Sequence, residues 1–155
     1  MTESTVQTSP TQTGVPAQVY HVFIKATPEA IWEAITSPEW SERYFYGARI
    51  SVTPDAYTSR GPDGADWGSS HVIEFDPPRR LVHGWRSLYH PDLAEEPESR
   101  VTWEITPGDD GVSLLTVTHD HLEGSSRTAE SVAGTGWMRV LSGLKTLLET
   151  GAPLG

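Results

Sequence analysis

Residues 19–25 alternate in character and are rich in β-branched and aromatic side chains, the pattern of a strand. The period then lengthens. Thr27 and Pro28 make a helix start: the hydroxyl is placed to accept from first-turn N–H groups, proline suits the first helical position, and Glu29 stands at the positive end of the dipole. Ala30, Ile31, Ala34 and Ile35 supply the apolar stripe of that helix. Ser37-Pro38-Glu39 repeats the start signal and predicts a second, short helix running to about Tyr44. From there the period of two returns, and residues 48–53, 57–60, 70–75, 81–88, 99–106 and 112–119 each read as strands. Gly61-Pro62-Asp63-Gly64, Pro77-Pro78 and Gly108-Asp109-Asp110-Gly111 are the turns between them.

The last segment changes period once more. Ala133, Trp137, Val140, Leu141, Leu144, Leu147 and Leu148 recur at three- and four-residue spacings, which predicts one long helix over 130–149 with Gly151 as its stop. Gly134, Gly136 and Gly143 fall inside it at a cost of up to about 1 kcal/mol each relative to alanine. Two explanations compete, close packing on a strand and room for a ligand, and packing is the stronger. Hairpin connections make the sheet antiparallel, so the fold class is α+β. One helix alone is long enough to cover seven strands, and a strongly curved sheet gripping it is the natural solution.

Composition narrows the picture. The chain has 155 residues, 36% of them apolar, with six Trp, five Tyr and three Phe, enough for one domain with a real core. The Thr-, Ser-, Gln- and Pro-rich residues 1–16 read as a disordered leader, and 17–153 as a single domain. No basic-then-apolar signal and no run of about 20 apolar residues is present, and cysteine is absent, so the simplest localisation is cytoplasmic. A net charge of -10 with scattered basic residues argues against nucleic acid as a partner. The acidic cluster Asp92, Glu95, Glu96 and Glu98 reads as a solvated loop.

Several segments resemble a known family: residues 26–36, Ala-Thr-Pro-Glu-Ala-Ile-Trp-Glu-Ala-Ile-Thr; the central proline turn 75–82 with Trp85; residues 99–102; residues 115–119; and Gly136-Trp137 with 144–149. Each motif is weak alone, but five in the right order are specific. The family is the polyketide-cyclase/START-like superfamily, in the branch similar to the C-terminal domain of the activator of the heat-shock-protein-90 ATPase. The resemblance covers about residues 18–152. It implies a helix-grip fold, like that of the birch-pollen allergen, with six to seven strands, two short helices after the first strand, and a cavity between sheet and last helix. It does not imply one activity, because relatives include ligand carriers, cyclases and co-chaperone domains. Relatives commonly carry a Trp-rich element near the cavity mouth, where this chain has Arg43-Tyr44-Phe45-Tyr46.

Period-two alternation puts His71, Ile73 and Phe75 on one face, Leu81, His83 and Trp85 on a second, Val101, Trp103 and Ile105 on a third, and Leu115, Val117 and His119 on a fourth. Turned inward, these faces line a mostly apolar pocket with a few polar groups, the composition of a small-molecule site. Trp85, Trp103 and His119 read equally well as core. The candidate ligand-binding residues are Tyr44, Tyr46, Trp67, His71, Trp85, Trp103, His119 and Trp137. His119-Asp120-His121 lacks a third metal ligand by spacing, so no metal site is expected. No serine sits in a nucleophile elbow and no glycine-rich loop opens a helix, so no catalytic residue and no cofactor are expected. Alternation also puts Glu74 and Arg86 on the faces opposite these.

The expected function is therefore binding of a hydrophobic or aromatic small molecule without defined catalysis. The alternatives are a cyclase or hydrolase with a pocket histidine as general base, and a co-chaperone-like domain with a protein partner. A homodimer is compatible with each.

Overall fold

The computed structural model describes residues 16–88, 90–133 and 135–154. Nearly all of the expected leader lies outside these residues. In chain order the elements are β1 (Gln18–Ile24), α1 (Pro28–Thr36), α2 (Pro38–Ser41), β2 (Arg49–Val52), β3 (Ala56–Arg60) and β4 (Asp66–Asp76). They continue with β5 (Arg80–Trp85), α3 (Pro91–Ala94), β6 (Ser99–Pro107), β7 (Ser113–Asp120), α4 (Ser126–Val132) and α5 (Thr135–Thr150).

The seven strands form one antiparallel sheet in the order β1-β7-β6-β5-β4-β3-β2. Every neighbouring pair except β1–β7 is joined by its own chain connection, so β1 and β2 become the two edges of a sheet that does not close. The register shifts at Ser59/Arg60 and at Val72/Glu74 each insert one extra residue into β4, Trp67 and Ile73, and bulges bend the strand that carries them. The α+β helix-grip architecture expected from the chain's pattern is the architecture found.

Local chemistry holds the helices at the open end of this curve. The Thr27 hydroxyl accepts the Ala30 N–H at 3.1 Å and caps α1. Ser41, fully buried at the end of α2, donates to the Ala48 carbonyl and accepts the Ile50 N–H, both at 2.8 Å, tying α2 to β2. At the other edge, Lys145 of α5 donates to the Phe23 carbonyl at 2.7 Å, and the Glu149 carboxylate accepts the Lys25 N–H at 2.8 Å. Between these anchors Ile24, Ile31, Leu81, Leu115, Leu144 and Leu147 are fully or almost fully buried. Among the described residues no helix is long and apolar enough to cross a membrane.

Two expectations need correction. The helix predicted over 130–149 is two helices, because Ala133 turns extended (φ -72°, ψ 177°) and ends α4. Two glycines, Gly134 and Gly136, follow that point in the sequence, and glycine lowers the cost of leaving a helix. The acidic loop is not wholly solvated. It contains α3, and Glu96 is buried, its carboxylate accepting the Arg127 N–H at 3.0 Å, the Thr128 N–H at 2.8 Å and the Thr128 hydroxyl at 2.7 Å. First-turn amides of α4 have no partner within the helix, and this carboxylate supplies one.

Candidate functional site

A cavity of about 310 Å³ lies between the β3–β4–β5 side of the sheet and the α4–α5 pair. Its apolar corner is built from three distant segments. Phe45 leaves the turn after α2, Trp85 ends β5 and Trp137 opens α5. Their rings meet at 6.2 Å (Phe45–Trp85), 5.9 Å (Phe45–Trp137, edge to face) and 5.6 Å (Trp85–Trp137). These separations are those of favourable aromatic pairs. The turn that presents Phe45 is tight. Ala48 N–H bonds the Phe45 carbonyl at 2.9 Å, while Tyr46 (φ 56°) and Gly47 (φ 77°) both take left-handed backbone. Tyr46 is consequently exposed at the rim, where its hydroxyl donates to the Gly136 carbonyl at 3.4 Å.

Glycine serves two purposes in α5. A Cβ on Gly143 would lie 3.3 Å from the Tyr44 Cβ, so the helix approaches the α2–β2 turn closely there. Gly136 lines the cavity, and a Cβ there would sit 2.9 Å from the Ser131 carbonyl oxygen. Close packing therefore accounts for both glycines, and Gly136 borders the cavity as well.

Behind the apolar wall lies a polar layer whose hydrogen bonds fix its protonation. An indole N–H donates only. The Trp103 Nε1–H meets His83 Nε2 at 3.0 Å, so that nitrogen holds a lone pair and the proton is on Nδ1, which donates to the Gly84 carbonyl at 2.7 Å. The Trp137 Nε1–H meets His119 Nδ1 at 3.1 Å, which places the proton on Nε2, donating to Ser99 Oγ at 2.7 Å. Ser99 passes its own proton to the Trp85 carbonyl at 3.3 Å. Both imidazoles are fully buried. Burial lowers His83 to a pKa of about 3, the neighbouring His119 adding to the effect against the Gly84 hydrogen bond. Burial likewise lowers His119 to about 4, despite the opposing pull of Asp120. Both are neutral at pH 7, and neither lines the cavity.

Tyr57 of β3 is part of the wall. Its ring stacks flat on His83 at 3.8 Å between centroids, and burial raises its pKa, so it remains a phenol. Its hydroxyl is the one buried side-chain polar atom without a hydrogen-bond partner among the described residues.

Of the residues singled out in the sequence, Tyr46, Trp67, Trp85 and Trp137 line the cavity. Tyr44 lies in the core and donates its hydroxyl to the Ala34 carbonyl at 2.8 Å. Trp103 and His119 stand in the layer behind the wall. His71 is exposed, as is Ile73 at 63%. The inward residues of β4 are Gly68 and Ser70, which makes His71 an outward position, and the bulge after Val72 then resets the parity so that Phe75 turns inward against Trp32. Arg86 also departs from expectation. β5 ends at Trp85, alternation ends with it, and Arg86 lines the mouth of the cavity.

Phe45, Tyr57 and Arg86 were not singled out as ligand-binding. Tyr57 begins a predicted strand and a face assignment for that strand would have found it, and Phe45 lies in the aromatic segment 43–46 that the resemblance places near the cavity mouth, whereas nothing local distinguishes Arg86. His121 takes left-handed backbone (φ 57°) and leaves the strand face of His119, and among the described residues no three potential ligands gather around a metal position.

The family model described as activator of Hsp90 ATPase homolog 1-like protein matches residues 25–149. No curated protein matches the chain. Among solved structures, protein MLL2253 from Mesorhizobium loti is similar at 25% identity and a TM-score of 0.68, over 86% of this chain and 97% of that one. DynU16, a protein of the dynemicin biosynthetic locus, is similar at 26% identity and a TM-score of 0.64, over 88% of this chain and 48% of that one. The Aha1 dimer from Colwellia psychrerythraea is similar at 18% identity and a TM-score of 0.65, over 88% of this chain and 98% of that one.

Proposed function

The chain belongs to the activator of Hsp90 ATPase homolog 1-like family, and on that premise we propose that it is a small-molecule-binding protein whose cavity receives an apolar, aromatic ligand without transforming it. The family's fold suggests ligand binding or cyclase-type chemistry. The observation that carries the choice of binding is the cavity itself, with Phe45, Trp85 and Trp137 forming its apolar corner. Its volume of about 310 Å³ lies at the small end of ligand sites, which suits a molecule of two or three rings. Burying such a ligand against aromatic walls contributes roughly 25 cal/mol for each Å² of apolar surface removed from water.

A cyclase or hydrolase of the kind considered above needs a histidine lone pair facing the substrate. His83 and His119 stand behind the wall, each with both ring nitrogens already bonded. A co-chaperone-like role rests on kinship alone, whereas the cavity is a feature of this chain.

The test is a thermal-shift series with neutral two- and three-ring aromatic compounds. A ligand at a hundred times its Kd should raise Tm by about 5 to 10 °C for a domain of this size. A broad aromatic panel that leaves Tm unmoved would refute the proposal.

A further inference from the structure

The walls of the cavity carry one charge, and it is positive. Among the described lining residues Arg86 is the sole charged side chain, in a protein with 21 acidic and 11 basic residues. Of the other arginines on the sheet, Arg49 pairs with Glu42, Arg80 with Glu74 and Glu104, and Arg100 with Asp120, while Arg60 bonds the Gly64 carbonyl at 3.4 Å. Arg86 has no carboxylate partner among the described residues. Its backbone is held firmly, because Leu88 N–H bonds the Trp67 carbonyl at 2.9 Å and a Cβ on Gly68 would lie 2.5 Å from the Arg86 carbonyl oxygen. The guanidinium thus springs from a fixed point at the mouth.

One neighbour on the wall has the same polarity of need. Ser87 is buried and its Oγ accepts the Trp85 indole N–H at 3.2 Å, while its own proton meets no acceptor among the described residues. The guanidinium and the Ser87 hydroxyl proton therefore have no acceptor among the described residues, on a wall that is otherwise largely apolar. What complements them is an acceptor, and at the guanidinium an anion, since a planar fork of N–H groups bonds a carboxylate or sulfonate best.

Resting on the binding function proposed above, we infer that the ligand is an aromatic acid, its rings against Trp85 and Trp137 and its anionic group held at the mouth by Arg86. The aromatic body is essential to this. At a net charge of -10 the protein repels free anions at long range, so small acids without rings are not expected to bind.

A matched pair of probes separates the two proposals. 8-Anilinonaphthalene-1-sulfonate and N-phenyl-1-naphthylamine differ by the sulfonate. In calorimetric titrations of the native chain the sulfonate should bind about tenfold more tightly, and each probe should displace the other. Arg86→Gln, a change at an exposed position, should erase that tenfold preference while leaving the neutral amine within about twofold of its native affinity. Equal affinities in the native chain, failure of mutual displacement, or an Arg86→Gln variant that weakens both probes alike would overturn the aromatic-acid inference and leave the cavity reading standing. Failure of both probes to bind would remove the cavity reading and the inference with it.

Discussion

At the scale of single residues, the two buried histidines act as fixed acceptors for indole N–H groups. His119→Phe keeps much of the volume but strands the Trp137 N–H and removes a donor from Ser99, so it should cost about 1–3 kcal/mol, read as a lower urea midpoint at unchanged slope. The same burial gives acid sensitivity. Each imidazole binds its proton less readily when folded than at the ordinary value of 6.5, so the unfolded chain holds more protons and acid favours it. The stabilisation is complete above pH 6.5 and is lost as pH falls, down to about 4 for His119 and about 3 for His83. Between pH 6.5 and 5, above the carboxylate range, the unfolding free energy should decline by up to about 1.4 kcal/mol per pH unit for each histidine, and by half as much in total in His119→Phe. A flat profile there would contradict the neutral, buried assignment. Tyr57→Phe runs the other way. Removing a buried hydroxyl that bonds nothing should leave the unfolding free energy unchanged or raise it by up to about 1 kcal/mol. The residue types of this layer were legible in the sequence, but which ring met which was not, because the pairs lie about twenty positions apart on different strands and helices.

At the scale of elements, the strands and the first two helices were readable because their signals are local. Alternation marks a strand wherever it occurs, and Thr27-Pro28 and Ser37-Pro38 announce their helices within four residues. A bulge is different, since it is a property of pairing. The shift after Val72 depends on how β4 meets β5, and it misassigned His71 and Ile73 while Phe75 kept its inward place. The break at Ala133 has a similar origin, as the apolar period runs through it undisturbed. Glu96 shows how a distant loop secures the short helix beyond that loop. Burial would raise its pKa, but hydrogen bonds from the Thr128 hydroxyl and the Thr128 and Arg127 amides outweigh burial and lower it. Glu96→Ala removes this acceptor from the start of α4 and should cost about 1–2 kcal/mol of stability by chemical denaturation. A variant as stable as the parent would show that the amides find water at no cost.

At the scale of the whole molecule, the order of elements carried most of the information. One strand, two short helices, six more strands and a terminal helical segment leave an antiparallel sheet few ways to cover its apolar face, so the helix-grip arrangement was legible. The hollow was not, because a filled core and a lined cavity demand the same residue types: Trp103 and Trp137 are both almost fully buried, yet only Trp137 borders the cavity. Whether that space takes a ligand is the central claim, and the six tryptophans permit a direct measurement of it. In a ¹⁵N-labelled sample titrated with N-phenyl-1-naphthylamine, the indole N–H signals of Trp85 and Trp137 should shift and saturate together, with Trp32 and Trp40, which lie outside the cavity, nearly still. Indole signals of Trp85 and Trp137 that stay in place while the probe saturates would contradict the account.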